Sequence, residues 1–331
     1  MPPPPAVAPG MTPPRPRWRT WLARSALVLG LGGLGMAGAA LADALTEAPS
    51  TARIAGLAEQ APRQTSYMQR AVVEGRLGAE HSLDWVGLAE VSPRVLCAVV
   101  MAEDPLFFRH RGFNHSLMLS ALVSRLAGRT VGSSTLSQQL ARNLYLGPEQ
   151  TVSRKLREAV IAARLEQTLG KRRILELYVN VVEWGPGVWG LAQASEHYWG
   201  KPPDHLTVFE AVFLASLLPA PSRPLADTHL ERSAFIQRIV LDVLHGATVI
   251  NADEWLLSHQ RLEGIYRALH AGRPVREALA LPVEQALALP PGPTRSKPDM
   301  SSLKPSPPVA EHQLLAEQCG LDRAEAHFGP F

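Results

Sequence analysis

Apolar residues recur at helical spacing along the central and C-terminal parts of the chain. Between Thr207 and Leu218 the run is almost wholly apolar, and it stops at Pro219, where a helix has to end. Further helical patterns cover residues 94–103, 116–126, 152–169, 234–244 and 253–270. Because strict two-residue alternation is scarce, the pattern predicts a mainly α fold.

One segment near the N-terminus differs from these helices because it carries no charge. Residues 25–42, as a helix, would be about 27 Å long, against a hydrocarbon core of about 30 Å. Two tryptophans and four arginines precede it, namely Trp18, Trp21, Arg15, Arg17, Arg19 and Arg24. These are the aromatic belt and the positive cytoplasmic flank of a membrane helix. We therefore predict a single transmembrane anchor with its N-terminus in the cytoplasm.

A cleaved signal peptide is the alternative for this segment, since Ala40-Leu41-Ala42 resembles a cleavage site. The apolar run is longer than the core of about 7–15 residues that is usual in such peptides, which favours an uncleaved anchor. With either interpretation, the rest of the chain leaves the cytoplasm.

The patterning divides the chain into six parts. They are a disordered basic arm (1–24), the anchor (25–42), a linker (43–64), a compact helical domain (65–225), a helical extension without an assigned role (226–288) and a proline-rich, mostly disordered tail (289–331).

Composition changes this picture in one region only. Two cysteines exclude a disulfide-rich scaffold and a cysteine-based zinc finger, and Cys97, in an apolar run, is predicted to be a buried inert thiol.

The net charge of +3 does not indicate a nucleic-acid binder. Between Arg125 and Arg173, however, ten Lys and Arg stand against three Glu. Such a patch attracts an anion, although a solvated helix face would have the same composition.

Two glutamates are the candidate reactive groups. Glu103 ends an apolar run, and a partly desolvated carboxylate suits proton abstraction. Glu158 shares a predicted helix face with Arg154 and Lys155, whose charges favour its ionised form. Two carboxylates in contrasting environments suit sugar transfer beside a phosphate clamp. An ordinary surface ion pair would also explain Glu158.

Residues 132–140 are dense in hydroxyl and amide side chains, which hydrogen-bond sugars and phosphates. Ser134 or Thr135 would equally serve as the N-cap of a helix that starts there, and the two roles are compatible.

Four motifs in order carry a resemblance to a known family. They are Glu-Asp-x-x-Phe-x-x-His-x-Gly from Glu103 to Gly112, Gly-Ser-Ser-Thr-x-x-Gln-Gln from Gly132 to Gln139, Arg-Lys-x-x-Glu from Arg154 to Glu158, and Lys-x-x-Ile-Leu-Glu-x-Tyr-x-Asn from Lys171 to Asn180. The series resembles the family 51 peptidoglycan glycosyltransferases, and residues 180–190 are similar to the monofunctional biosynthetic transglycosylases. The match covers residues 65–225.

The resemblance implies a lysozyme-like helical domain on the outer, periplasmic side of the cytoplasmic (inner) membrane. It would polymerise lipid II, with release of polyprenyl pyrophosphate and inversion at the donor anomeric carbon. Glu103 would be the general base, and Glu158 a second carboxylate with an orienting or electrostatic role. Arg142, Arg154 and Lys155 would hold the pyrophosphate. The other substrate-binding residues would be Asp104, Ser134, Thr135 and Gln138.

The same resemblance implies the partners. They are lipid II, the growing glycan chain and the membrane, with other cell-wall synthases or division proteins as further candidates and no nucleic acid. No cofactor is expected to be required and no protein metal site is expected, because His110 and His115 lack the H-E-x-x-H pattern of a zinc site. A Mg²⁺ or Mn²⁺ ion could bridge the substrate pyrophosphate.

Three positions depart from the usual family pattern. Asn114 stands where the family has Asp, Arg142 where it often has Lys, and Gln150 where it usually has Arg. The missing cation at Gln150 would weaken the phosphate clamp, so a catalytically weakened membrane-anchored scaffold is one alternative. A glycan-cleaving lysozyme or lytic transglycosylase is another. The basic helix around Glu158 argues against it, because glycan cleavage needs no pyrophosphate site.

Overall fold

The structure is a computed structural model that describes residues 17–114, 134–149 and 151–291, with side chains from residue 30 onward except at positions 227 and 228. Its helices are α1 (Arg17–Glu47), α2 (Thr51–Ala55), α3 (Ser66–Val73), α4 (Pro93–Glu103), α5 (Leu136–Tyr145), α6 (Val152–Thr168), α7 (Lys171–Val181), α8 (Leu191–Trp199), α9 (Val208–Leu217), α10 (Asp227–Gly246), α11 (Ala252–His270), α12 (Val275–Ala280) and α13 (Val283–Leu287). In the described part, β1 (Glu183–Gly185) and β2 (Val188–Trp189) form an antiparallel hairpin. The mainly α fold is confirmed, and its lysozyme-like arrangement stays a prediction.

Helix α4 lies inside the domain because it is apolar on every side. Pro93 occupies its first turn, where a missing N–H costs no helical hydrogen bond. Every residue from Val95 to Met101 is buried, and α9 and α10 pack against the helix. Cys97 is buried with them but is disulfide-bonded, so its prediction as an inert thiol is wrong. Glu103 is therefore carried at the end of a rigid core element.

Helices α5, α6 and α7 pack beside one another and carry most of the candidate site. Helix α5 contacts both of the others. Leu136, Leu140 and Leu144 form its buried stripe at four-residue spacing, and Ile161 and Leu165 form that of α6. These stripes leave the polar residues of α5 and α6 free to line the site.

Residues 226–288, predicted as an extension, contribute to the same core as the preceding domain. Helix α10 packs against α4 and α9, and α11 packs against α10 and α9. Leu241, Leu244 and Ile265 belong to the buried cluster that includes α4. Periodicity predicted these helices, but it could not show which other helices their apolar faces would pack against.

The chain predicted as a linker, residues 43–64, is packed against the domain between Ala44 and Leu57. They contain the end of α1, helix α2 and a 3-10 turn at Gly56–Ala58. Ala44, Ile54 and Leu57 are buried, and both α1 and α2 contact α6. Small residues are typical of a linker. They also let two helices approach closely, as they do here where α1 and α2 contact α6.

Helix α1 covers the whole predicted anchor of residues 25–42 without a break. Among the residues described here, no helix combines the length and apolar character needed to cross a membrane. The first 16 residues of the basic arm, the predicted helix at residues 116–126 and the tail beyond residue 291 lie outside the described residues.

Asn180 ties α7 to the chain before α4, and its removal should destabilise the fold. Its fully buried side chain accepts a hydrogen bond from Val86 N at 2.9 Å and donates to Val86 O at 2.8 Å and Glu176 O at 2.9 Å. We expect Asn180→Ala to lower the free energy of unfolding by about 2–4 kcal/mol, because both backbone groups of Val86 lose their partner. Urea unfolding followed by circular dichroism measures this. Gln60→Ala, at an exposed amide, is the control, and equal midpoints for the two variants would contradict the assignment.

Candidate active site

Glu103, the last residue of α4, is held by a relay of two side chains from other helices. Its side chain is 5% exposed. Gln139 of α5 donates from Nε2 to Glu103 Oε2 at 2.5 Å, and Tyr178 of α7 donates its hydroxyl to Gln139 Oε1 at 3.1 Å. Because three helices meet in this relay, the position of the carboxylate is set by the packing of the core.

The pKa of Tyr178 is affected by both Glu103 and the cation Arg142. Burial raises the pKa of the Tyr178 phenol well above its usual value, the negative charge of Glu103 raises it further, and Arg142 lowers it. The phenol therefore stays protonated near neutral pH and keeps donating to Gln139. Arg142 lies three residues after Gln139 and so shares its face of α5. One acid and one cation thus lie close to the same phenol.

Asp104, predicted to bind substrate, has protein partners in the structure. Its side chain is fully buried and accepts a hydrogen bond from Leu136 N at 2.9 Å, at the first residue of α5. His110 Nε2 lies 2.9 Å from the same carboxylate. An acid at a helix N-terminus is stabilised by the unpaired N–H groups there. Asp104 therefore joins the end of α4 to the start of α5 and positions Glu103 beside that turn.

The start of α5 is closed by a capping box. Thr135 Oγ1 accepts from Gln138 N at 3.2 Å, and Gln138 Oε1 accepts from Thr135 N at 3.0 Å. The Thr135 hydroxyl also donates to Gly112 O at 2.7 Å. Of the two N-cap candidates, Thr135 is the cap, and Ser134 is left with a half-buried side chain beside α6.

Glu158 forms a buried ion cluster with the two cations that share its helix face. Its carboxylate is fully buried, lies 2.7 Å from Arg154 Nη1 and is bound by Lys155 Nζ. Lys155 also donates to Ser134 Oγ at 2.9 Å. Ser134 precedes Leu136 by two residues, so the Glu158 cluster meets the chain just before α5, next to the turn that binds Asp104.

The arrangement is able to receive an anion. In the part of the chain that the structure describes, the Nε atoms of Arg142 and Arg154 are buried and have no hydrogen-bond partner. Arg154 is only 8% exposed as a residue. Buried donors of this kind normally have partners, so an anion that satisfies them would bind favourably.

Sequence reasoning missed the supporting residues of the site. Glu166 of α6 accepts from Ser137 of α5 and lies 2.6 Å from Lys171 Nζ of α7. Lys171 lies 4.3 Å from the ring centroid of Phe107, and burial lowers its pKa, an effect that Glu166 opposes. Lys171, like Gln139 and Tyr178, lies within a recognisable motif, but the motif does not state which partner each side chain has.

Of the remaining candidates, Asn114 is buried at 5% exposure, whereas Gln150 and His115 lie outside the described residues. Within the described ranges no group of three or more His, Cys, Asp or Glu side chains is arranged to hold a metal ion. His110, considered as a metal ligand, pairs with Asp104.

Comparison with known proteins gives concordant matches. A family model described as Transglycosylase matches residues 37–245. The chain is similar to three proteins named biosynthetic peptidoglycan transglycosylase. That of Nitrosomonas eutropha is 41% identical over 169 residues, covering 50% of this chain and 68% of the relative. That of Aeromonas hydrophila is 41% identical over 182 residues, covering 54% and 77%. That of Laribacter hongkongensis is 39% identical over 188 residues, covering 54% and 82%.

The buried ion cluster predicts a stability effect at Glu158. We expect Glu158→Gln to lower the free energy of unfolding by about 3 kcal/mol, because it leaves the buried guanidinium of Arg154 without its counter-charge. Denaturant unfolding at pH 7 measures the change. Glu74→Gln is the control, since Glu74 pairs with Arg70 and Arg76 on the exposed surface and its loss should not shift the midpoint. An unchanged midpoint in Glu158→Gln would rule out a tight buried cluster.

Proposed function

The chain belongs to the transglycosylase family and is a peptidoglycan glycosyltransferase, and we propose that it polymerises lipid II into glycan strands at the outer face of the cytoplasmic membrane. One observation carries the proposal. Leu136, the first residue of α5, binds Asp104, the neighbour of Glu103, and Ser134, two residues earlier, binds Lys155, the partner of Glu158. A candidate base and a cluster of cations therefore converge on the N-terminal end of α5.

Glu103 is the general base in this proposal. Its carboxylate takes the proton of the acceptor sugar 4-hydroxyl while the hydroxyl oxygen attacks the anomeric carbon of the donor. The bond from that carbon to the pyrophosphate oxygen breaks, and attack from the opposite face inverts the configuration. An alcohol nucleophile needs a base within hydrogen-bond reach, and the relay from Gln139 and Tyr178 supports a fixed position for this one.

Arg142, Arg154 and Lys155 receive the leaving polyprenyl pyrophosphate in this proposal. Negative charge grows on the pyrophosphate as the bond breaks, and fixed cations stabilise it most when they need not rearrange. Glu158 contributes by holding Arg154 and Lys155 in place.

Four polar residues around the first turn of α5 complete the proposed donor site. Ser134 adds a hydroxyl beside Lys155. Thr135 and Gln138 contribute through the helix N-terminus that they cap, and Asp104 positions this turn against α4. A helix N-terminus favours a bound phosphate group.

No resident cofactor enters the proposed reaction. A Mg²⁺ or Mn²⁺ ion bound to the pyrophosphate of lipid II would belong to the substrate, and the cations named above would share its role in neutralising the leaving group. Titration of polymer yield against each metal chloride would separate these two contributions.

Helix α1 anchors the protein in this proposal. Every residue from 30 to 39 is exposed, and Leu31, Leu34 and Met36 are 61%, 72% and 74% exposed. An apolar helix without protein neighbours on any side is stable in lipid. With the N-terminal arginines in the cytoplasm, the catalytic domain lies on the outer side of the membrane.

The role of Glu103 is tested by its amide variant. We expect Glu103→Gln to reduce polymer formation from lipid II by about two to four orders of magnitude, because an amide cannot accept the hydroxyl proton. A gel assay of glycan strands, with and without the donor-site inhibitor moenomycin, measures the yield. Circular dichroism should be unchanged.

Glu196→Gln, at an exposed glutamate of α8, is the matched control and should keep full activity. Normal polymer yield in Glu103→Gln would remove Glu103 from the mechanism. A wild-type protein that binds lipid II without joining it would favour the scaffold, and cleavage of finished glycan alone would favour the lytic enzyme.

The anchor is tested by charges placed within it. We expect the double variant Leu31→Arg, Leu34→Arg to be released from membranes by alkaline carbonate, because each arginine at mid-membrane costs about 2.5–3.5 kcal/mol. Immunoblots of pellet and supernatant measure the distribution. Leu256→Arg, Leu257→Arg, at two exposed leucines of α11, is the control and should stay in the pellet. Equal pelleting of both double variants would contradict the anchor.

A further inference from the structure

The C-terminal end of α1 is capped by a side chain from α6. Arg164 Nη1 donates to Ala48 O at 3.0 Å and to Pro49 O at 2.8 Å, and its Nη2 donates to Leu45 O at 3.0 Å. A helix leaves the last four of its carbonyl groups without partners inside the helix. The last turn of α1 contains no basic residue of its own. Arg164, from helix α6, therefore supplies the positive charge and the hydrogen-bond donors that the last turn of α1 lacks.

Two more arginines hold the same part of the chain. Arg157 lies seven residues before Arg164 on α6 and pairs with Glu47, and Arg173 of α7 donates from Nε to Leu57 O at 2.7 Å. We call Arg157, Arg164 and Arg173 the arginine clamp. The planar guanidinium bonds several carbonyls at once, and its charge is favourable at a helix C-terminus.

The clamp divides the basic patch between two tasks. The ten basic residues between Arg125 and Arg173 predict an anion site or a solvated helix face, but three of them bind the segment after the anchor. Lys155 and Arg164 are nine residues apart on α6, which places them about 180° apart around the helix axis. Glu158 and Arg164 are six residues apart, which places them about 120° apart, so α6 carries the Glu158 cluster and α1 on different faces.

We propose that Arg164 is a positioning residue that makes α6 a rigid strut between the membrane anchor and the active site. This rests on the proposed function. The lipid tail of the donor keeps its pyrophosphate at the membrane surface, so the cations that receive it need a fixed height and tilt relative to the bilayer. A loose linker would let the domain rotate, whereas the capped junction, with Ala44 and Ala48 buried, does not.

Amide hydrogen exchange tests the junction independently of activity. The full chain in lipid vesicles is compared with Arg164→Ala and with Arg273→Ala, which removes a cation from an exposed turn after α11. We expect exchange across residues 44–58 to be about tenfold faster in Arg164→Ala, because three hydrogen bonds to a charged group are lost, and unchanged in Arg273→Ala. Unchanged exchange in Arg164→Ala would overturn the clamp.

Activity in two media tests positioning against a general loss of structure. In detergent micelles, which have no fixed plane, Arg164→Ala should keep its polymerisation rate within about twofold, whereas in vesicles the rate should fall about tenfold or more. Equal losses in both media, or no loss in either, would overturn the positioning role. If Arg164→Ala does not fold, Arg164→Gln keeps a side chain that packs and takes the same two measurements. A wild-type chain inactive in both media would refute the proposed function, while the exchange experiment would still decide the clamp.

Discussion

The first turn of α5 is the constraint on which the site depends. Leu136 N binds Asp104, so the residue beside Glu103 is fixed to this turn. Ser134 Oγ binds Lys155, so the Glu158 cluster meets the chain just before it. A helix N-terminus is suited to this position because its unpaired N–H groups bind acids, and the capping box of Thr135 and Gln138 keeps the turn from fraying.

Much of the site consists of polar groups that hold other polar groups in place. Gln139 and Tyr178 position Glu103, and Glu166 joins three helices through Ser137 and Lys171. Such a network costs stability unless every member has a partner, and when it is satisfied it holds the reactive groups rigidly. The motif residues therefore divide into a few that would contact substrate and a larger number that hold these few.

Helix α6 makes two different electrostatic interactions, and the arginines and lysines that make them cannot be told apart by composition. Arg154 and Lys155 neutralise a buried glutamate, and on a neighbouring face Arg157 pairs with Glu47 while Arg164 binds carbonyl groups at the end of α1. Both faces are basic because both meet negative charge. One meets the Glu158 carboxylate, and the other meets the Glu47 carboxylate and the carbonyl groups at the end of α1. In the proposed function, the height of the site above the membrane and its ability to bind pyrophosphate are thus properties of one helix.

The sequence by itself determined the mainly α fold, the family, and the pairing of Glu158 with Arg154 and Lys155. These depend on periodicity, motif order and spacing within one helix, which are local properties of the chain. Only the tertiary structure decided that Asp104 binds the first turn of α5, that the chain from Ala44 to Leu57 is packed, and that the basic patch serves two partners. Each of these depends on contacts between residues far apart in the chain, such as Arg164 with Leu45, and neither residue's own neighbours carry a signal of the other.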